Sequence, residues 1–125
     1  MTTQTLLAQV RQAAGAPGVA IVDLHGDITR VAEEALNAAY QQADSLNPRA
    51  IALNFGGVEF INSTGIALIV GLLAQARKSG RRLLTFGLSE HYIEIFKITR
   101  LVDFMSVYAD EAGALAGAQN WDFHI

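Results

Sequence analysis

The stretch Phe60-Ile61-Asn62-Ser63-Thr64-Gly65 decides how this chain is read. It follows a short apolar run, Ala50–Phe55, and a Gly56-Gly57 pair that reads as a loop. It opens a strongly apolar helical segment, Ile66–Ala74. An amide and two hydroxyls therefore sit where the chain leaves a strand and starts a helix. A helix start has free backbone N–H groups and the positive end of the helix dipole. On a structural reading, Asn62 or Ser63 simply caps the helix. On a functional reading, Ser63 is an exposed hydroxyl that gains a phosphate, and the modification is a switch. The two are compatible, because a capped helix start tolerates an added anion.

Working outward on the C-terminal side, the central helix is expected from about Ser63 to Ser79, with Gly80 as its C′ residue. Arg77 and Lys78 sit in its last turn, matched to the negative end. Arg82–Phe86 reads as a strand, and Ser89 as the cap of a short helix, Glu90–Ile98. In that helix Tyr92, Ile95 and Phe96 are spaced to face a core. Phe104–Tyr108 is expected as a last strand and Asp110–Gly117 as a last helix capped by Asp110. Residues 119–125 read as a tail from which Trp121 and Phe123 could dock.

On the N-terminal side, Ala50–Phe55 is a compact apolar run between turn signals, hence a buried strand. Thr29 is expected to cap a helix carrying Glu33 and Glu34 near its first turn, and Asn47-Pro48 to end it. Val19–Ile28 reads as a strand with Val22, Leu24, Gly26 and Ile28 on one face and Asp23, His25 and Asp27 on the other. Thr5–Gln12 fits strand or helix. The Ala13–Gly18 turn chemistry after it points to an N-terminal hairpin. Strands then alternate with helices, so the sheet is expected to be mixed: a hairpin followed by parallel strands with right-handed crossovers.

The chain has 125 residues, enough for one ordinary domain, 1–125, with a core of about 6–115. Half of it is apolar and its formal net charge is −3. That balance argues against a general nucleic-acid surface. With no cysteine there is no disulfide framework, thiolate metal site or Cys nucleophile. Met1–Leu7 does not look like a signal peptide, and no apolar run approaches the ~18 residues that span a bilayer. A cytoplasmic protein without membrane insertion is the expectation.

Other chemistry is weakly signalled. Asp23, His25 and Asp27 share a strand face, a spacing that a solvated strand meets by chance, so no metal site is expected. His91 and His124 have no spaced partners. Gly56-Gly57 lacks the Gly-Lys-Ser/Thr of a phosphate loop. Lys78, Arg81 and Arg82 read as a solvated helix end. Ser63 as a hydrolase nucleophile would need a base and an oxyanion hole. Its neighbours are not Gly-x-Ser-x-Gly and no His lies nearby in sequence. The chain is therefore expected not to be an enzyme and to need no cofactor.

Four stretches, in order, resemble the STAS domain (sulfate transporter and anti-sigma factor antagonist) in its stand-alone bacterial form. Leu24-His25-Gly26-Asp27-Ile28 is similar to the family's Leu-x-Gly-x-Leu/Ile. Ile51–Phe55 followed by Val58–Gly65 is similar to its strand and its Asp-Ser-Thr/Ser-Gly signature. Ala76–Leu83 and Phe96–Met105 are similar to the end of its central helix and to its third helix and last strand.

The resemblance implies a single α/β domain, with a small mixed sheet and about four helices mainly on one side. It implies an anti-sigma factor antagonist, a binding switch that engages an anti-sigma factor serine kinase. It further implies phosphorylation at Ser63, beside Thr64, and dephosphorylation by a PP2C-type phosphatase. Asn62 stands where the family usually carries Asp, and this neutral amide changes the charge beside the phosphoacceptor. The alternative within the family is a non-catalytic STAS subunit of a lipid-transport ATPase or a stress-signalling scaffold. The expected partner patch comprises Asn62, Ser63, Thr64 and Gly65, with Glu59 adding repulsion to a phosphate. Ile66, Ile69, Val70 and Leu73 form one helical face and leave Leu68 and Leu72 for a partner or self-association surface; the competing reading is that neighbouring helices cover both.

Overall fold

A computed structural model describes residues 4–120. The elements are β1 (Leu7–Gln12), β2 (Val19–Ile28), α1 (Glu33–Ser45), β3 (Ala50–Ile61), α2 (Ser63–Lys78), β4 (Arg82–Phe86), α3 (Glu90–Ile98), β5 (Ser106–Tyr108) and α4 (Glu111–Asn120). One 3-10 turn, Arg30–Ala32, precedes α1, and another, Leu101–Asp103, follows α3. The five strands lie side by side in chain order. β1 pairs antiparallel with β2, and all later pairs are parallel. This is the mixed sheet expected from a hairpin followed by β–α–β units.

The strands are apolar on both faces because both faces are covered. Ala20, Val22, Leu24, Ile51, Leu53 and Phe55 point toward α1, α2 and α3, where they meet Leu36, Tyr40, Ile69, Leu72, Leu73 and Phe96. Val19, Ile21, Ala50, Ala52, Leu84 and Phe86 point the other way, onto Ala114 and Ala118 of α4. Phe96 is fully buried and sets its ring edge-on to Phe55, with centroids 6.0 Å apart. α4 is tied to the sheet by charge as well as by packing. Arg11 bridges Asp23 at 2.7 Å and Glu111 at 2.6 Å, and Arg82 donates to the Gly117 carbonyl at 2.9 Å.

Four local expectations need correction. β3 does not stop at Phe55; it runs through Gly56-Gly57 to Ile61. Its register against β2 slips by one residue between Asp23 and His25 and again between Gly26 and Asp27, so β3 carries two bulges. The glycines permit the first: a Cβ on Gly57 would lie 2.2 Å from His25 Nδ1. Thr29 makes no side-chain cap; a 3-10 turn intervenes and the α-helix starts only at Glu33. β5 begins at Ser106, which leaves Phe104 in a loop and 56% exposed. The last helix is longer than expected, reaching Asn120, with Asp110 accepting from the Gly113 N–H at 2.8 Å. Trp121 and Phe123 lie outside the described residues.

Two outcomes follow from this packing. Phe96→Ala should cost about 3–5 kcal/mol, read from urea denaturation, because it empties the α3 side of the core. The hydrogen bond from Arg11 holds the Asp23 carboxyl below the usual carboxylate range, with partial burial opposing it and the Asn54 amide reinforcing it. A lowered folded-state value stabilises the fold above the unfolded pKa of ~3.9 and is lost as pH falls through the folded value. Asp23→Asn should therefore melt below wild type at neutral pH, with the gap closing under about pH 4 in a Tm-versus-pH series.

Candidate functional site

The junction of β3 and α2 is fixed by backbone chemistry. Asn62 is the N-cap of α2, and its Oδ1 accepts from the Gly65 N–H at 2.8 Å. Its own N–H donates to the Ile28 carbonyl at 3.3 Å, and its carbonyl accepts from Ile66 at 2.9 Å. Gly65 is buried against the end of β2: a Cβ there would lie 2.0 Å from the Ile28 oxygen. One residue upstream, the Ile61 N–H donates to the Tyr92 hydroxyl at 2.8 Å. The start of α2 is thus pinned to β2 on one side and to α3 on the other.

Ser63 and Thr64 have no part in this scaffold. Both are exposed on the first turn of α2, and among the described residues no side-chain hydrogen bond engages the Ser63 hydroxyl. Beside Ser63 lies a groove of about 300 Å³ lined by Ile61, Asn62, Ser63, Ile66, Ile95 and Thr99. Its walls are mostly apolar. Glu59 is exposed at the second bulge of β3, and Phe60 next to it is 47% exposed. Both residues stand at this bulge, just before the site.

The structure therefore brings Glu59, Asn62, Ser63, Thr64 and Gly65 to one corner, with distinct tasks. It removes Leu72 from any docking surface. Leu72 is 2% exposed and sits in the main core, and Leu68 is half-buried against the same cluster. The reason is that α1 packs along that flank of α2, where Gln41 also reaches Gln75 at 3.4 Å. Val70, expected on the inward face, is 44% exposed instead. Reasoning from sequence also missed Ile95 and Thr99, which α3 brings to the groove only in three dimensions. Tyr92 carried a signal: a phenol on a core-facing position needs a hydrogen-bond partner.

The remaining candidates are occupied elsewhere or scattered. Asp23 serves Arg11 and Asn54, and Asp27 accepts from the Gln4 N–H at 2.9 Å. Among the described residues no three His, Asp or Glu side chains are grouped as a metal site would require. Arg81 is turned inward to Asp44 and to the Pro48 carbonyl. No described helix is long and apolar enough to cross a membrane.

Comparison with known proteins bears on the family and the fold. The family model described as "STAS domain" matches residues 11–114. An anti-sigma-B factor antagonist of Staphylococcus aureus is 36% identical over 59 residues, 47% of this chain and 55% of the relative. The chain thus spans about half the length of the curated relatives it matches. In fold it is similar to an anti-sigma factor antagonist from Mycobacterium paratuberculosis, with TM-score 0.73, 21% identity, and coverage of 92% of this chain and 95% of that one. It is also similar to the phosphorylated form of the Bacillus cell fate determinant SpoIIAA, with TM-score 0.63, 20% identity, and coverage of 85% and 95%.

The cap and the close approach can be separated by substitution. Asn62→Ala should cost about 1 kcal/mol, while Asn62→Asp should keep the cap and lose nothing. Gly65→Ala should cost more, about 1–3 kcal/mol, because the methyl meets a backbone carbonyl that cannot swing aside. Urea unfolding of the three variants ranks them.

Proposed function

The chain belongs to the STAS domain family, and from that premise we propose that it is an anti-sigma factor antagonist. It acts as a non-catalytic module that docks an anti-sigma factor serine kinase and is turned off by phosphate on Ser63. The observation that carries this reading is the division of tasks within Asn62–Gly65. Asn62 and Gly65 build the corner, which leaves the Ser63 hydroxyl exposed at the lip of an apolar groove. The description of a relative as an anti-sigma-B factor antagonist, and of a structural neighbour as a phosphorylated form, supports the same reading.

The switch follows from charge and hydration. Docking requires water to leave the groove between Ile66 and Ile95. A phosphate on Ser63 adds about −1.5 to −2 charges and strong hydration at its edge. Glu59, exposed nearby, adds to the repulsion toward an acidic or apolar partner. The same anion is tolerated by the fold, because it sits at the positive end of α2. The modification therefore acts on docking rather than on folding, and removal of the phosphate by a PP2C-type phosphatase restores the docking face.

Asn62 favours a second reading. It supplies the cap that an Asp would supply, without the charge. A chain that never meets the kinase keeps the corner and loses only the electrostatics, as in a STAS subunit of a lipid-transport ATPase or a stress-signalling scaffold.

Incubation of the full chain with its cognate kinase and ATP, followed by mass spectrometry, tests the proposal. One phosphate on Ser63, absent in Ser63→Ala, is the expected result. Ser63→Asp should weaken kinase binding by about tenfold or more, a loss of roughly 1.4 kcal/mol. No phosphate, together with stable co-purification with a transporter ATPase, would transfer the assignment to the second reading.

A further inference from the structure

The charges of this chain are sorted to opposite ends of the sheet. The strands β2 to β5 are parallel, so the loops after them share one end and the loops before them share the other. Asp27, Glu33, Glu34, Glu59, Glu90 and Asp110 lie at the end that holds Ser63, with Arg30 as the cation among them. Arg49, Arg77, Lys78, Arg81, Arg82 and Arg100 lie at the opposite end. The acids there, Asp44 and Asp103, are already paired with Arg81 at 2.5 Å and Arg100 at 2.7 Å.

Part of this sorting is intrinsic to the fold. The crossover helices all run the same way, and acids in first turns and cations in last turns complement their dipoles. Dipoles do not, however, call for exposed aromatic rings at both ends. At the basic end a groove of about 440 Å³ has Leu73, Leu83 and Phe104 as its apolar lining and Arg77, Arg81 and Arg82 around them. Arg77 stacks over the exposed Phe104 ring at 5.3 Å and makes no ion pair among the described residues. At the acidic end Glu59 and Phe60, side by side at the second bulge of β3, are both exposed.

An exposed carboxylate beside an exposed ring faces outward at one end, and an exposed guanidinium beside an apolar hollow faces outward at the other. From this complementarity we infer that the chain associates head to tail with further copies of itself, the Glu59–Phe60 corner of one copy seated in the Arg77–Phe104 groove of the next. The contact is heterologous, so it propagates rather than closing into an isologous dimer. Its charged component weakens as salt shortens the screening distance. The acidic corner also carries Ser63, so self-association and docking of another protein at that corner compete.

Sedimentation equilibrium of the full chain tests this. At low salt, about 20 mM NaCl, the mass should climb with protein concentration above the monomer's 13.4 kDa, and at about 0.5 M it should fall back. Glu59→Arg and Arg77→Glu should each abolish the climb, as should Phe104→Ser, with unchanged circular dichroism. An equimolar mixture of Glu59→Arg and Arg77→Glu should recover association, because the intact corner of the second variant meets the intact groove of the first. A wild-type chain that stays monomeric at every concentration and salt would overturn the inference. So would association that survives all three substitutions, or a mixture that remains monomeric.

Discussion

The organisation of this molecule depends on one close approach: the start of α2 lies directly on the last carbonyl of β2. Only a residue without a side chain fits between them, and Gly65 supplies it. That same carbonyl accepts from Asn62, whose amide oxygen turns back to hold the Gly65 N–H. A strand, a cap and a helix are joined within four residues. Everything at the Ser63 corner inherits its position from this joint. Ser63 and Thr64, between the two residues of the joint, take no part in it and are left exposed on the first turn.

Rigidity beneath and exposure above is what a binding switch needs. A hydroxyl on a loose loop would let an added phosphate swing away from the docking face. On the first turn of a pinned helix an added charge would stay where it was placed, at the edge of the groove that Ile66 and Ile95 help to line. The Tyr92 hydroxyl extends the same logic to α3, since it fixes the second wall through the Ile61 N–H. The groove is then a property of two helices held to one strand end, rather than of any single segment.

Much of this was legible in the sequence, and what was not has physical reasons. Val19–Ile28, Arg82–Phe86 and Glu90–Ile98 carried alternation, flanking glycines or a serine cap, and these elements stand where they were expected. The Gly56-Gly57 pair looked like a break because glycine signals a turn and a bulge alike; only the pairing with β2 decides between them. Leu72 looked available because a helical wheel shows angles, not neighbours. The position of α1 along that flank is a tertiary fact. The serine at the corner could be found from Asn-Ser-Thr-Gly alone, whereas Ile95 and Thr99 belong to a segment some thirty residues away and carry no local mark of their role.

The division of the sheet into two unequal coverings has a consequence for how the chain is made. Three helices seal one face as each crossover is completed, yet the other face waits for α4, the last described element to leave the ribosome. Until then Ile21, Ala52, Leu84 and Phe86 form a bare apolar plate. Nascent chains in that state are open to mispairing and capture by chaperones. The Arg11–Glu111 pair, which joins the first strand to the last described helix, can form only once that helix is in place.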